Sequence, residues 1–268
     1  MKLCFSTLAC PEWSLDQITK AARDNQLGVD FRGIGSEIDI TRMPAFNDQL
    51  PATLEMFRRN NVKVPCLNTS VTLISPPDRW TAMLDECQRT AQLAKQLDTR
   101  RMRIFGGAVP KEIDRAEARS MAHRHLRQLT KITSPLNVQL ALETHDEWII
   151  ADEVLQLIDG CEPAEVGVLW DIEHPHRRGE APAETVRKLG ARIRHVHIKD
   201  SFPALPGERK ARPTLLGEGE VPIVECVRAL RAIEYDGWYC LEAEKRWIAS
   251  TPEPEESIPQ FAAYMRRI

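Results

Sequence analysis

No run of about 18 consecutive apolar residues occurs in the chain, so no segment has the make-up of a membrane span. There is no N-terminal apolar stretch long enough for a signal peptide, and none is expected. There is also no C-x-x-C pair. Seven cysteines (Cys4, Cys10, Cys66, Cys87, Cys161, Cys226 and Cys240) are odd in number and scattered, which argues against a disulfide framework. Cys4, Cys66 and Cys240 lie inside apolar runs, where a free thiol behaves as a small hydrophobe. The expectation is a cytoplasmic protein with reduced, buried thiols. Neither charge is in surplus: 36 Lys and Arg stand against 39 Asp and Glu, a net charge of -3. A general nucleic-acid binder would show a basic balance, so none is expected as partner. No glycine follows the first apolar run, which continues Thr7-Leu8-Ala9-Cys10-Pro11-Glu12. A dinucleotide-binding open sheet would carry its phosphate fingerprint there.

What the chain does have is alternation. Of its 268 residues, 43% are apolar and 28% charged, an ordinary globular balance. A chain of this length buries about 70–75% of its unfolded surface and needs no staples. Short β-rich runs at residues 3–7, 29–33, 62–70, 101–106, 138–145, 166–171, 193–199 and 238–244 predict eight strands. Helical periodicity fills the intervals, at 47–60, 78–97, 112–133, 151–158, 182–189, 222–233 and 259–266. Ser14-Leu15-Asp16-Gln17 reads as a capping box opening the first helix. Proline stands at or near several helix starts, where its missing N–H costs nothing. Eight strand–helix units with no composition break and no flexible linker predict α/β architecture: a single (β/α)8 TIM barrel over residues 1–268.

In such a barrel, chemistry sits where the strands end. Strand five reads Leu140-Ala141-Leu142-Glu143-Thr144-His145, with Ala141, Glu143 and His145 on one face by period two. Strand six ends Trp170-Asp171-Ile172-Glu173-His174. Strand seven reads His195-Val196-His197-Ile198-Lys199-Asp200, and strand eight Cys240-Leu241-Glu242-Ala243-Glu244. Each run is apolar until its last residues, then delivers a carboxylate or an imidazole. Taken singly, Glu143 or Glu242 reads as an ion-pair partner, His197 as a core histidine and Asp171 as a helix cap. Together, Glu143, Asp171, His197 and Glu242 place three carboxylates at one level of a small mouth. Their burial and mutual repulsion are relieved by a cation. Mixed carboxylate and imidazole ligation suits Mn2+, Fe2+, Co2+ or Zn2+, and Mg2+ less well.

At these residues the sequence resembles the sugar phosphate isomerase/epimerase family. These are the xylose isomerase-like TIM barrels that include tagatose and psicose 3-epimerases, hydroxypyruvate isomerase and inosose dehydratase. The runs that carry the resemblance are Leu142-Glu143-Thr144-His145, Trp170-Asp171-Ile172-Glu173-His174, His195-Val196-His197-Ile198-Lys199-Asp200, Leu216-Gly217-Glu218-Gly219 and Leu241-Glu242-Ala243-Glu244-Lys245. Strands two and four also fit, so it spans nearly the whole chain. Its combination of D-x-x-H, H-x-H-x-K-D and G-E-G is specific for the superfamily but not for one reaction.

The resemblance implies one divalent ion, Mn2+ first among candidates, held by Glu143, Asp171, His197 and Glu242. It implies that Glu143 and Glu242 double as acid and base, moving a proton at a metal-stabilised enediolate of a keto sugar or related keto acid. His174 falls on the family's substrate-side histidine. His145, Lys199 and Arg177 are further candidates for substrate contact, His145 and His195 equally for orienting a ligand. Residues 175–180 and 208–212 bring five basic side chains (Arg177, Arg178, Arg209, Lys210 and Arg212) that would suit an anionic group. Trp13 and Trp247 are candidates for pocket walls. The apurinic endonucleases of the superfamily hold three zinc ions through additional histidines. Here residues 68–70 read Asn-Thr-Ser, and residues 201–215 contain neither Asp nor His, so one metal is expected. Epimerisation, isomerisation and dehydration share this ligand set. A metal-dependent lyase and a non-catalytic carbohydrate-binding barrel therefore remain as alternatives. Family members commonly form dimers or tetramers, but no interface signal is legible in the sequence.

Overall fold

In the computed structural model, which describes residues 1–208 and 211–268, every one of the eight expected strands forms. The chain groups into two compact units, Met1–Pro65 with Val196–Ile268, and Cys66–His195.

The first unit is built around β1 (Lys2–Ser6), whose last four residues are buried. It pairs in parallel with β2 (Gly28–Asp30) on one side and with β10 (Trp238–Leu241) on the other. Helices α1 (Leu15–Asn25), α2 (Leu50–Arg59), α8 (Ile223–Ala232) and α9 (Pro254–Arg267) belong to this unit. The expected capping box opens α1. Ser14 Oγ accepts from the Gln17 N–H at 3.3 Å, and Gln17 Oε1 accepts from the Ser14 N–H at 2.9 Å. Phe31, Phe46 and Phe57 meet with centroids 5.0 to 6.4 Å apart, a cluster that ties the segment after β2 to α2.

The second unit carries β3 (Leu67–Thr72), β4 (Arg101–Phe105), β5 (Gln139–Glu143) and β6 (Val166–Asp171), paired in chain order and in parallel. Between them lie α3 (Pro77–Gln96), α4 (Arg115–Thr133) and α5 (Ala151–Leu157), followed after β6 by α6 (Glu173–Arg177) and α7 (Pro182–Leu189). All six residues of β6 are buried, as expected for a parallel strand covered on both faces. The division between the units falls within β7 (Ile193–Ile198).

Several boundaries differ from the sequence reading. The third strand begins at Leu67 rather than 62, because Val62–Cys66 follow the end of α2 as coil and Pro65 has no N–H to give a ladder. The second strand stops at Asp30, and Gly33, at φ +102°, turns the chain into a bridge between Ile34 and Glu37. The last helix starts five residues earlier than expected. Pro254, not Pro259, occupies its first position, and Pro259 lies inside the helix. Residues 175–177, which lie outside the predicted helices, belong to α6. A hairpin that no apolar run announces, β8 (Asp200–Phe202) with β9 (Arg212–Thr214), follows β7. Among the described residues no helix is long and apolar enough to cross a membrane.

Candidate metal centre

In the second unit, β5 and β6 deliver the two carboxylates. Glu143 and Asp171 are the last residues of their strands, 1% and 0% exposed. Their carboxylates each offer an oxygen within 4.8 Å of the other. Two anions so close and so dry need positive compensation. Arg103, from the middle of β4, supplies part of it: its Nη1 lies 2.8 Å from Glu143 Oε2, and its guanidinium rests 3.8 Å from the centroid of the Phe105 ring.

Thr144 locks the two strand ends together. Its Oγ1 donates to the Asp171 carbonyl at 3.2 Å and accepts from the Asp171 N–H at 2.9 Å. Asp171 Oδ1 accepts the N–H groups of Glu173 and His174, at 2.9 and 3.4 Å, and so also caps α6. His174 Nδ1 sits 2.7 Å from the Thr144 carbonyl, and its ring meets that of His145 edge to face at 4.9 Å. His145 Nδ1 lies 2.9 Å from Asp146 Oδ1. Burial disfavours the charged imidazolium, but the Asp146 carboxylate and the charge of Glu143 outweigh it, and the net shift of the His145 pKa is upward. Arg177 pairs with Glu173 across one turn of α6, Nε to Oε1 at 3.3 Å.

In the first unit, the end of β7 and the segment after β10 present the other pair. His197 is wholly buried and Glu242 is 4% exposed. His197 Nδ1 lies 3.0 Å from Glu242 Oε1. Lys199 Nζ donates to Glu242 Oε2 at 3.0 Å and to Glu244 Oε1 at 3.2 Å, which spreads its charge over both carboxylates. The Glu242 N–H donates to the Ile198 carbonyl, fixing the glutamate against β7.

The G-E-G loop is held by Asp200. Its Oδ2 accepts the N–H groups of Gly217 and Gly219 at 2.8 and 3.0 Å, and its Oδ1 those of Ser201 and Val221 at 2.9 and 3.1 Å. A Cβ at Gly219 would run into the Asp200 carboxylate. Trp13 lines a surface hollow of about 330 Å³ beside α1 and α9, its Nε1 donating to Glu255 at 3.3 Å, and Trp247 is 51% exposed. Of the basic residues read as an anion site, Arg212 stacks 5.2 Å from the Phe202 centroid, while Arg209 and Lys210 lie outside the described residues.

Sequence reasoning passed over Arg103, Thr144, Trp148 and the role of Asp200. Arg103 had a legible signal, a charge at the centre of a short buried strand. Trp148, wholly buried with Nε1 donating to the Gly107 carbonyl at 2.9 Å, had none.

Residues 22–268 match a family model described as the xylose isomerase-like TIM barrel. The chain belongs to that family. Its fold is therefore the (β/α)8 barrel that the alternation of strands and helices predicted. One relative is a D-psicose 3-epimerase of Enterocloster bolteae, 27% identical over 134 residues, 48% of this chain and 41% of that protein. Another is an inosose dehydratase of Bacillus anthracis, 30% identical over 105 residues, 35% of each chain. The matched segments thus span well under half of either curated relative. Among solved structures, the IOLI protein with a bound zinc atom superposes with a TM-score of 0.80 at 17% identity, covering 100% of this chain and 96% of that one.

Proposed function

We propose that the protein is a divalent-metal-dependent isomerase or epimerase acting on a keto sugar or related keto acid, with Glu143, Asp171, His197 and Glu242 as the ligands of one cation. The observation that carries this reading is the pair of half-sites. Each unit ends two strands in buried oxygen or nitrogen donors within 4.8 Å of each other, and each half already holds a positive side chain against its glutamate. The donor set fits a divalent first-row ion: three carboxylates and one imidazole are hard to borderline ligands. Mn2+ is the expected ion, with Zn2+, Co2+, Fe2+ and Mg2+ as candidates. When bound, such an ion supplies Lewis-acid polarisation of a substrate carbonyl and its neighbouring hydroxyl.

The chain's own residues do the rest. One of Glu143 and Glu242 takes the proton from the carbon beside the carbonyl, and the same or the other glutamate gives it back. Return to the opposite face of that carbon inverts it. Return to the neighbouring carbon converts ketose to aldose. Arg103 and Lys199 hold the two glutamates in place through their ion pairs, at 2.8 and 3.0 Å. His174, its Nδ1 turned to the Thr144 carbonyl, offers Nε2 to a substrate oxygen, and His145, Lys199 and Arg177 complete the proposed contacts. The reading takes residues 1–268 as a single barrel in a cytoplasmic setting.

A lyase is the second reading, favoured by the inosose dehydratase relative. The same proton abstraction followed by loss of a β-hydroxyl gives dehydration. The test is a screen of keto sugars, inososes and keto acids with Mn2+ in deuterated water. Deuterium appearing at a carbon next to a carbonyl supports the isomerase reading, and release of water or CO2 moves the assignment to a lyase. Wild-type protein that binds no divalent ion, or a Glu242→Gln variant that binds it with undiminished affinity, overturns the ligand assignment.

A further inference from the structure

One layer below Glu242, the first unit contains a second cluster of ligating side chains that the proposed reaction does not use. Cys240, in β10, precedes Glu242 by two residues, and Glu242 lies just beyond the end of that strand. Cys240 pairs in register with Cys4 of β1, and β1 in turn pairs with β2, where Asp30 is the last residue. Cys4, Asp30 and Cys240 are all 0% exposed, and each offers a ligand atom within 4.8 Å of the others. Cys4 Sγ donates to the Tyr239 carbonyl at 3.7 Å and Cys240 Sγ to the Leu241 carbonyl at 3.6 Å. Three adjacent strands therefore aim two sulfurs and an oxygen at one point.

We propose that Cys4, Cys240 and Asp30 form a second, structural metal site that takes a thiophilic divalent cation, Zn2+ in the first instance. The chemistry separates it from the centre above. Thiolate ligands select soft and borderline ions, whereas carboxylates with one imidazole serve the harder end of the series. Two thiolates and a carboxylate are three of the four donors a tetrahedral zinc ion takes. On loading, each thiol releases its proton to solvent as the sulfur–metal bond forms, and no electron is transferred. Complete burial means that the ion enters as the chain folds, so its binding energy adds to folding stability.

The experiment uses the full chain produced in cobalt-supplemented, zinc-depleted medium, with Co2+ as the probe. The expected wild-type result is two Co2+ per chain, a thiolate-to-cobalt charge-transfer band in the near ultraviolet, and sulfur scatterers about 2.3 Å from the metal by X-ray absorption. Cys4→Ala and Cys240→Ala each remove the band and one equivalent of metal. Glu242→Gln keeps the band while losing the equivalent bound without sulfur. The wild-type X-ray absorption decides the matter even where a cysteine variant fails to fold. Wild-type protein with no sulfur scatterer, a band that survives both cysteine variants, or a band abolished by Glu242→Gln overturns the proposal. Loss of only the sulfur-free ion in wild type counts against the proposed reaction and leaves this site standing.

Discussion

Arg103 Nη1 and Glu143 Oε2 lie 2.8 Å apart with both side chains almost entirely out of water. The pair joins β4 to the end of β5 and places a cation against a proposed metal ligand. Arg103→Met strips that compensation from a buried carboxylate and is expected to lower the unfolding free energy of the metal-free protein by about 3–5 kcal/mol. Adding Glu143→Gln to that variant should recover part of the loss, because the charge to be compensated has gone. Urea titrations of the two single variants and the double close the cycle, and simple additivity of the two losses would show that the residues are not coupled.

Asp200 organises the hairpin end and the G-E-G loop through four backbone N–H groups. Hydrogen bonds to a charged acceptor contribute more than neutral ones. Asp200→Asn removes the charge and turns an N–H₂ towards at least one donor, so a loss of about 2–3 kcal/mol is expected. Hydrogen exchange should locate it: the amides of Gly217 and Gly219 lose protection first, while those of β1 and β10 keep theirs.

Gly106 has no room for a side chain. A Cβ there would stand 2.5 Å from Trp148 Cδ1 and 3.0 Å from its Cγ. The indole cannot yield readily, since Nε1 is bonded to Gly107 and the Arg115 guanidinium covers the ring 4.3 Å from its centroid. Gly106→Ala should therefore cost about 1–3 kcal/mol from overpacking. A lowered Tm with an altered near-ultraviolet circular dichroism signal from the tryptophan is the expected readout.

His125 gives a pH dependence remote from the proposed centre. Its ring stacks on Trp80 at 3.6 Å and its Nδ1 lies 2.6 Å from the Leu73 carbonyl. Burial holds its pKa below the ordinary value. The Arg124 charge adds to that effect, and the Leu73 bond opposes it. With the folded value depressed, the unfolded chain binds the proton more readily. The stabilising contribution is thus complete above the unfolded value near 6.5 and is lost as pH falls through the folded value. Wild type should lose more unfolding free energy than His125→Gln between about pH 7.5 and pH 5, measured by denaturant titration. Parallel losses in both proteins would assign the acid sensitivity elsewhere.

How much of this was legible beforehand differs from element to element. The eight strands, the Ser14 capping box and the four strand-end donors follow from local rules, because apolar runs, caps and period-two alternation act over a few residues. The start of α9 was misplaced because two prolines, Pro254 and Pro259, both satisfy the rule for a first helical position, and only packing chose between them. The β8–β9 hairpin escaped notice because its strands are three residues each and polar at one end. Arg103 and Trp148 were invisible as partners because their contacts, with Glu143 and with Gly107, span about 40 residues of chain.

By itself, then, the sequence determined which side chains stand at the strand ends and which class of barrel they serve, since residue type and spacing are local properties carried by the chain in any conformation. Tertiary structure alone decided that Arg103 compensates Glu143, that Lys199 is shared between Glu242 and Glu244, and that Cys4 and Cys240 fall side by side with Asp30. Those relationships depend on strand register, which is set by how distant segments bury their apolar faces against one another.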